Sequence, residues 1–176
     1  ATLPGLPAVI VGRNARVAWA FTNTGSDTQD LFVEQLHPQD PTQYLTPAGW
    51  RAFETVREVI QVKGQPDIEL FVRHSRHGPI VSDASQDIQA SMPAKSVLAL
   101  SWVALRADDL TLQFPLKAAT ASTGAELLRA ARDFHAPQQN IVYADVDGHI
   151  GFVAAGRVPL RSTQNDARGL VPVPGW

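Results

Sequence analysis

Cysteine is absent from the 176 residues, which excludes thiol catalysis, disulfides and cysteine-ligated zinc within them. Its absence chooses no compartment, since cysteine-free chains occur in reducing and oxidising settings alike. No apolar stretch approaches the roughly 20 residues that span a membrane. Basic excess is missing too: 15 Lys and Arg against 17 Asp and Glu leave a formal net charge of −2. That balance argues against a nucleic-acid surface, and no run of like charge suggests a tail. No signal-peptide pattern follows Ala1. There is no G-x-S-x-G elbow, P-loop or H-E-x-x-H, and no internal repeat. What is there is 44% hydrophobic and 18% charged, an ordinary globular composition. The length suits one domain with a real core, or two very small ones.

Short strands separated by strong turn signals fill most of the chain. Residues 8–11 form an apolar run ending at Gly12-Arg13-Asn14. Residues 16–21 alternate, with Val17 and Trp19 on one face and Ala18 and Ala20 on the other. Residues 22–27 are polar or glycine, which reads as a loop, and 31–36 resume a strand. Lys63-Gly64-Gln65-Pro66 separates 57–62 from 67–73 as a hairpin would. Residues 97–103 read as a buried strand. One helix is predicted over about 123–135. Thr123 and Glu126 have capping-box spacing, and Leu127, Ala131 and Phe134 make one apolar stripe. Asp147-Gly148 between two apolar runs predicts a type I′ hairpin. Residues 172–176 are extended. The class is strand-dominated α+β, with at least one amphipathic helix.

Read residue by residue, the chemistry is thin. His74 and His77 are a weak metal pair, because three-residue spacing puts them on opposite faces of an extended segment. Asp27, the Gln29 carbonyl and Asp30 can bind a hard cation, or the aspartates can pin the loop as an Asx-turn. Asp145 and Asp147 resemble the start of a calcium loop but lack its closing glutamate. Asn140 can donate to an oxyanion or simply form a turn. Trp19, Trp50, Trp102 and Trp176 read as core or rim packing.

Taken together, several segments resemble the penicillin acylase family of N-terminal-nucleophile hydrolases. They are Leu3-Pro4-Gly5-Leu6-Pro7, residues 9–14, residues 17–25, residues 29–34 and Arg76-His77-Gly78-Pro79-Ile80. Residues 137–145, 148–152, Gly156-Arg157-Val158-Pro159 and 172–176 complete the series. The blocks run in family order and cover nearly the whole chain. The resemblance implies part of a four-layer αββα architecture. It also implies that 1–176 is a single internal fragment of the β-chain, lacking the N-terminal nucleophile segment.

The resemblance further implies a reaction. A serine hydroxyl at the start of the β-chain attacks an amide carbonyl, and its own α-amine takes the proton through a water. An acyl-enzyme forms, the amine leaves, and water completes the hydrolysis. The Asn23 backbone N–H and the Asn140 side chain would hold the oxyanion, with Arg161 in support. Thr22 and Val11 would touch the substrate. Val11 makes a smaller wall than an aromatic would, which favours a longer or bulkier acyl group than phenylacetyl.

One structural calcium, which not every branch of the family binds, would sit on Asp27, Gln29 and Asp30. No organic cofactor is expected. The expected partners are a small N-acyl substrate, a penicillin or an acyl-homoserine lactone, and the remaining α- and β-chain segments. Nucleic acid and a membrane span are not expected. The expected location is periplasmic or secreted. No serine here is N-terminal, so these residues alone are expected to be inactive. The competing reading is a non-catalytic, strand-rich binding or scaffold domain that shares only the framework.

Overall fold

Burial alternates at residues 17–19 and 150–154, as period-two patterning requires of half-buried strands. The computed structural model describes residues 1–163 and 168–176. In chain order it begins with strands β1 (Gly12–Arg13) and β2 (Val17–Asn23). Then follow β3 (Gln29–Gln35), β4 (Gln43–Thr46), β5 (Gly49–Ala52), β6 (Glu54–Ile60) and β7 (Ile68–His74). Helix α1 (Gln86–Ser91) leads into β8 (Ser96–Trp102), and helices α2 (Gln113–Thr120) and α3 (Gly124–Ala130) come next. Strands β9 (Gln139–Asp145), β10 (Ile150–Ala155) and β11 (Val173–Pro174) complete the order. Two compact units result, Ala1–Thr28 with Val103–Leu160, and Gln29–Trp102 with Arg161–Trp176.

The first unit is an antiparallel sheet in the order β1-β2-β9-β10 with α2 and α3 on one face. Val17, Trp19 and Ile141 turn inward and meet Phe114, Ala118, Leu127 and Ala130. Burying a side chain such as Leu127 or Phe114 stabilises by about 1.5–3 kcal/mol. Phe21, Phe114 and Phe134 form a ring trio with centroids 5.4–5.8 Å apart. The approach of α3 to the sheet depends on two glycines. A Cβ on Gly124 would come within 2.1 Å of the Tyr143 ring, and one on Gly151 within 2.6 Å. Asn14 ties the β1–β2 turn to α2. Its Nδ2 shares its two N–H groups among the carbonyls of Ala118, Ala119 and Ala121 at the helix end.

The predicted helix over 123–135 is real but divided. Thr123 caps α3 by accepting the Glu126 N–H at 3.2 Å. After Ala130 the chain tightens into a 3₁₀ turn, Ala131–Asp133. The stripe survives the change, with Leu127, Ala131 and Phe134 all buried. Two expectations need correction. The apolar run at 8–11 is not itself a strand; the pairing with β2 begins at Gly12. The Asp147-Gly148 turn is not type I′, since that turn needs two central residues with positive φ and only Gly148 has it there. The Asp145 carboxylate shapes this loop instead, by accepting the N–H groups of Asp147 and His149.

In the second unit β3 lies between β8, antiparallel, and β11, parallel. Ile80, Val97 and Ala99 form its small core with Phe32, Leu36 and Phe53 against them. The β6–β7 hairpin forms as expected around Gly64, whose φ is +76°. Of the tryptophans only Trp19 is core; Trp50, Trp102 and Trp176 are exposed.

Candidate active site

Strand β2 runs on through Thr22 and Asn23, two residues further than the polar composition suggests. Pairing with β9 explains the extension: Thr22 stands opposite Asn140 and Asn23 opposite Gln139. Ladder bonds there replace the local side-chain bonds that would make a turn. Asn140 is likewise inside a strand rather than at a turn, with Ala154 of β10 on its other side. Thr22, Asn140 and Ala154 therefore form one row across the sheet. They lie on the face opposite the helices, because strand neighbours alternate. The next rows on that face are Ala20, Val142 and Phe152, then Ala18, Ala144 and Ile150. Val142, Phe152 and Ile150 are exposed, and a shallow hollow of about 300 Å³ lies over Ala18, Ala20, Val142 and Ala144.

At the polar end of the sheet amide side chains gather, that of Asn140 on this face and those of Asn23 and Gln139 on the other. Asn140 Nδ2 donates to the Asn23 carbonyl at 3.5 Å, the outer limit of a hydrogen bond. Gln139 Nε2 donates to Asn23 Oδ1 at 3.0 Å. The loop after Asn23 is held by Thr24, whose hydroxyl donates to the Gln138 carbonyl, and by Ser26, which bonds the Gln138 side chain. Thr22 and Asn140, the polar side chains of this face, carry no formal charge. Val11 lies just before β1, with β2 standing between it and Asn140. A larger cleft of about 680 Å³, lined by His135, Phe152 and Arg157 among others, includes none of the amides.

The second unit carries the other two groups of expected residues. Alternation along β3 puts Asp30, Phe32 and Glu34 on one face. Asp30 is 7% exposed, and its Oδ1 accepts the Arg161 Nε–H at 2.9 Å. Gln29 opens the strand opposite Trp102, and Asp27 is an exposed loop residue of the first unit. Calcium takes six to eight oxygens and draws its carboxylates toward itself. One Asp30 oxygen is engaged by a guanidinium, which would compete with a cation for it. Among the described residues no group of three or more His, Asp or Glu side chains could hold a metal.

Further along the same face Glu34 is fully buried, and its Oε1 lies 2.8 Å from His77 Nδ1. The His77 ring stacks on Phe32 at 3.8 Å. His77 thus serves a carboxylate rather than pairing with His74 around a metal. No local spacing announces this partnership, since 43 residues separate the two.

A family model described as penicillin amidase matches residues 1–176. The chain belongs to the penicillin amidase family. It is 34% identical over 180 residues to the acyl-homoserine lactone acylase QuiP of Pseudomonas aeruginosa, covering 99% of this chain and 21% of that protein. It is 32% identical to the penicillin acylase 2 proenzyme of a Pseudomonas species, again covering 99% of this chain and 21% of the relative. Among solved structures it is similar to the thermostable penicillin G acylase from Alcaligenes faecalis, with a TM-score of 0.81 and 29% identity. That match covers 99% of this chain and 30% of the other. The chain therefore spans about a fifth of the length of the relatives it matches. Its fold is part of the four-layer N-terminal-nucleophile hydrolase architecture, and the first unit has one helical layer and one sheet of that kind.

Proposed function

We propose that this penicillin amidase chain is the oxyanion-holding part of an amidohydrolase that cleaves N-acyl compounds, either penicillins or acyl-homoserine lactones. The supporting observation is the row that sets the Asn140 amide beside Asn23 at the polar end of an open apolar sheet face. An acyl chain can lie along that face while its carbonyl oxygen reaches the two donors, the Asn23 N–H and Asn140 Nδ2. The 3.5 Å bond to the Asn23 carbonyl is long enough to be exchanged for a bond to the substrate at little cost. Preorganised neutral donors of this kind stabilise the tetrahedral oxyanion more than the planar carbonyl. Val11 and Thr22 would shape the substrate seat, and Arg161 would support the charge.

The attacking hydroxyl belongs to an N-terminal serine in another part of the parent protein, with that residue's own amine as base. These 176 residues alone are expected to show no turnover. The parent's location would be the periplasm or the outside of the cell.

Asn140→Ala in the complete enzyme tests the reading. Losing one oxyanion donor lowers kcat by about 10²–10³. Turnover near the parent's own would sink the assignment. Running penicillin and acyl-homoserine lactone substrates side by side, with acyl length varied, decides between the two classes.

A further inference from the structure

Two roles that the resemblance assigns separately, a cation site at Asp30 and a supporting arginine at 161, meet in one contact. Asp30 is almost wholly buried, and the Arg161 side chain is 20% exposed. The bond runs from Nε, the donor nearest the stem, at 2.9 Å. A guanidinium is planar, so fixing Nε against a rigid carboxylate also fixes the plane and direction of its outer nitrogens. Asp30 itself is rigid. It sits inside β3 opposite Ser101 of the neighbouring strand, and the β3 ladder to β8 is complete from Gln29 to Gln35. The next carboxylate on the same face, Glu34, has its own partner in His77. Four residues of strand put it about 13 Å away, too far to compete for Arg161.

We propose that Asp30 is a positioning residue, holding Arg161 by its Nε, and that this guanidinium stands where a metal cation was expected. The proposal rests on the reading that Arg161 supports the oxyanion. In the parent enzyme, Asp30→Asn keeps the size of the side chain and removes the charge that orients the arginine. Contact pairs couple strongly enough that kcat should fall about ten- to a hundredfold. KM should stay within about twofold, because binding the ground state does not require the oriented charge.

The deciding measurement is a double-mutant cycle with Arg161→Ala. Adding Asp30→Asn to Arg161→Ala should slow the enzyme no further. A second cycle uses Arg161→Lys, which keeps the charge but lacks the planar donor; it should lose activity as Asp30→Asn does, again without an additive loss. Thermal unfolding with and without calcium is followed for each variant, and any calcium-dependent shift should survive Asp30→Asn.

Four results overturn the proposal. Independent, multiplying losses from Asp30→Asn and Arg161→Ala mean that Asp30 does not act through the arginine. A calcium-dependent rise in melting temperature that disappears in Asp30→Asn makes the residue a metal ligand. Parent-like turnover in Arg161→Ala removes the role of the arginine itself, and that outcome is separable because it appears in the single variant. If Asp30→Asn does not fold, the Lys variant decides on its own. Full activity in Arg161→Lys shows that charge suffices and orientation does not matter.

Discussion

The first unit places its candidate chemistry on neutral amides at an open face; the second buries charged side chains in pairs along a single strand. Thr22 and Asn23 are exposed and Asn140 half-buried, and the Asn140 side chain is held by a long bond of 3.5 Å. Asp30 and Glu34 are enclosed, and each spends its charge on a partner in the same unit. The contrast follows from what each side chain costs to desolvate. An amide at an exposed face loses little by waiting for a ligand. A carboxylate in the interior must be paired as soon as the chain folds. Groups free to exchange partners are therefore the ones to test for catalysis, and the enclosed pairs are the ones to test for stability and orientation.

Glu34→Ala should break the comparison most severely. Removing one member of a buried pair costs about 3–5 kcal/mol, and urea unfolding is the measurement that checks it. Gly175 sharpens the point. A Cβ there would come within 2.1 Å of Glu34 Oε2, so the chain end packs directly on the carboxylate. A loss under about 1 kcal/mol in Glu34→Ala would mean that the second unit does not depend on its buried charge. Asn14→Ala should cost less, about 1–3 kcal/mol, by removing the side-chain donor from the end of α2. Asn140→Ala should change stability by no more than about 0.5 kcal/mol. A large loss of stability there would make Asn140 a structural residue like Asn14.

Much of the sheet was legible because period-two burial is a local signal. Val17 and Trp19 pointed inward and Ala18 outward, as their alternation implied. The start of α3 was legible because Thr123 and Glu126 carry a cap within four residues. Helix α2 was not, since its first turn contains Pro115 and the residue before it, Leu112, caps nothing. Proline reads as a breaker, although the first helical turn tolerates it. The end of β2 was hidden because Thr22 and Asn23 prefer turns until a partner strand 117 residues away supplies a ladder. The candidate site was legible only as separate residues. That Asp30 faces Arg161 depends on the folding of the chain between two positions 131 apart, and no spacing encodes it.

A pH slope is expected at one carboxylate of the first unit. Asp145, at the end of β9, has a side chain only 1% exposed. Its Oδ2 accepts the Gly124 N–H at the start of α3, and its Oδ1 accepts the His149 N–H. These bonds, the one from Gly124 foremost, lower its pKa from 3.8 to about 2. Because the folded value lies below the unfolded one, the stability it contributes is complete above the unfolded pKa. It is lost as pH falls from there through the folded value. Asp145→Asn should therefore be less stable than the parent chain at about pH 5, and the gap should close on approach to about pH 2. A gap for Asp145→Asn that stays constant across the acid range would show that the carboxylate charge contributes nothing to holding α3, and that the amide alone can cap it.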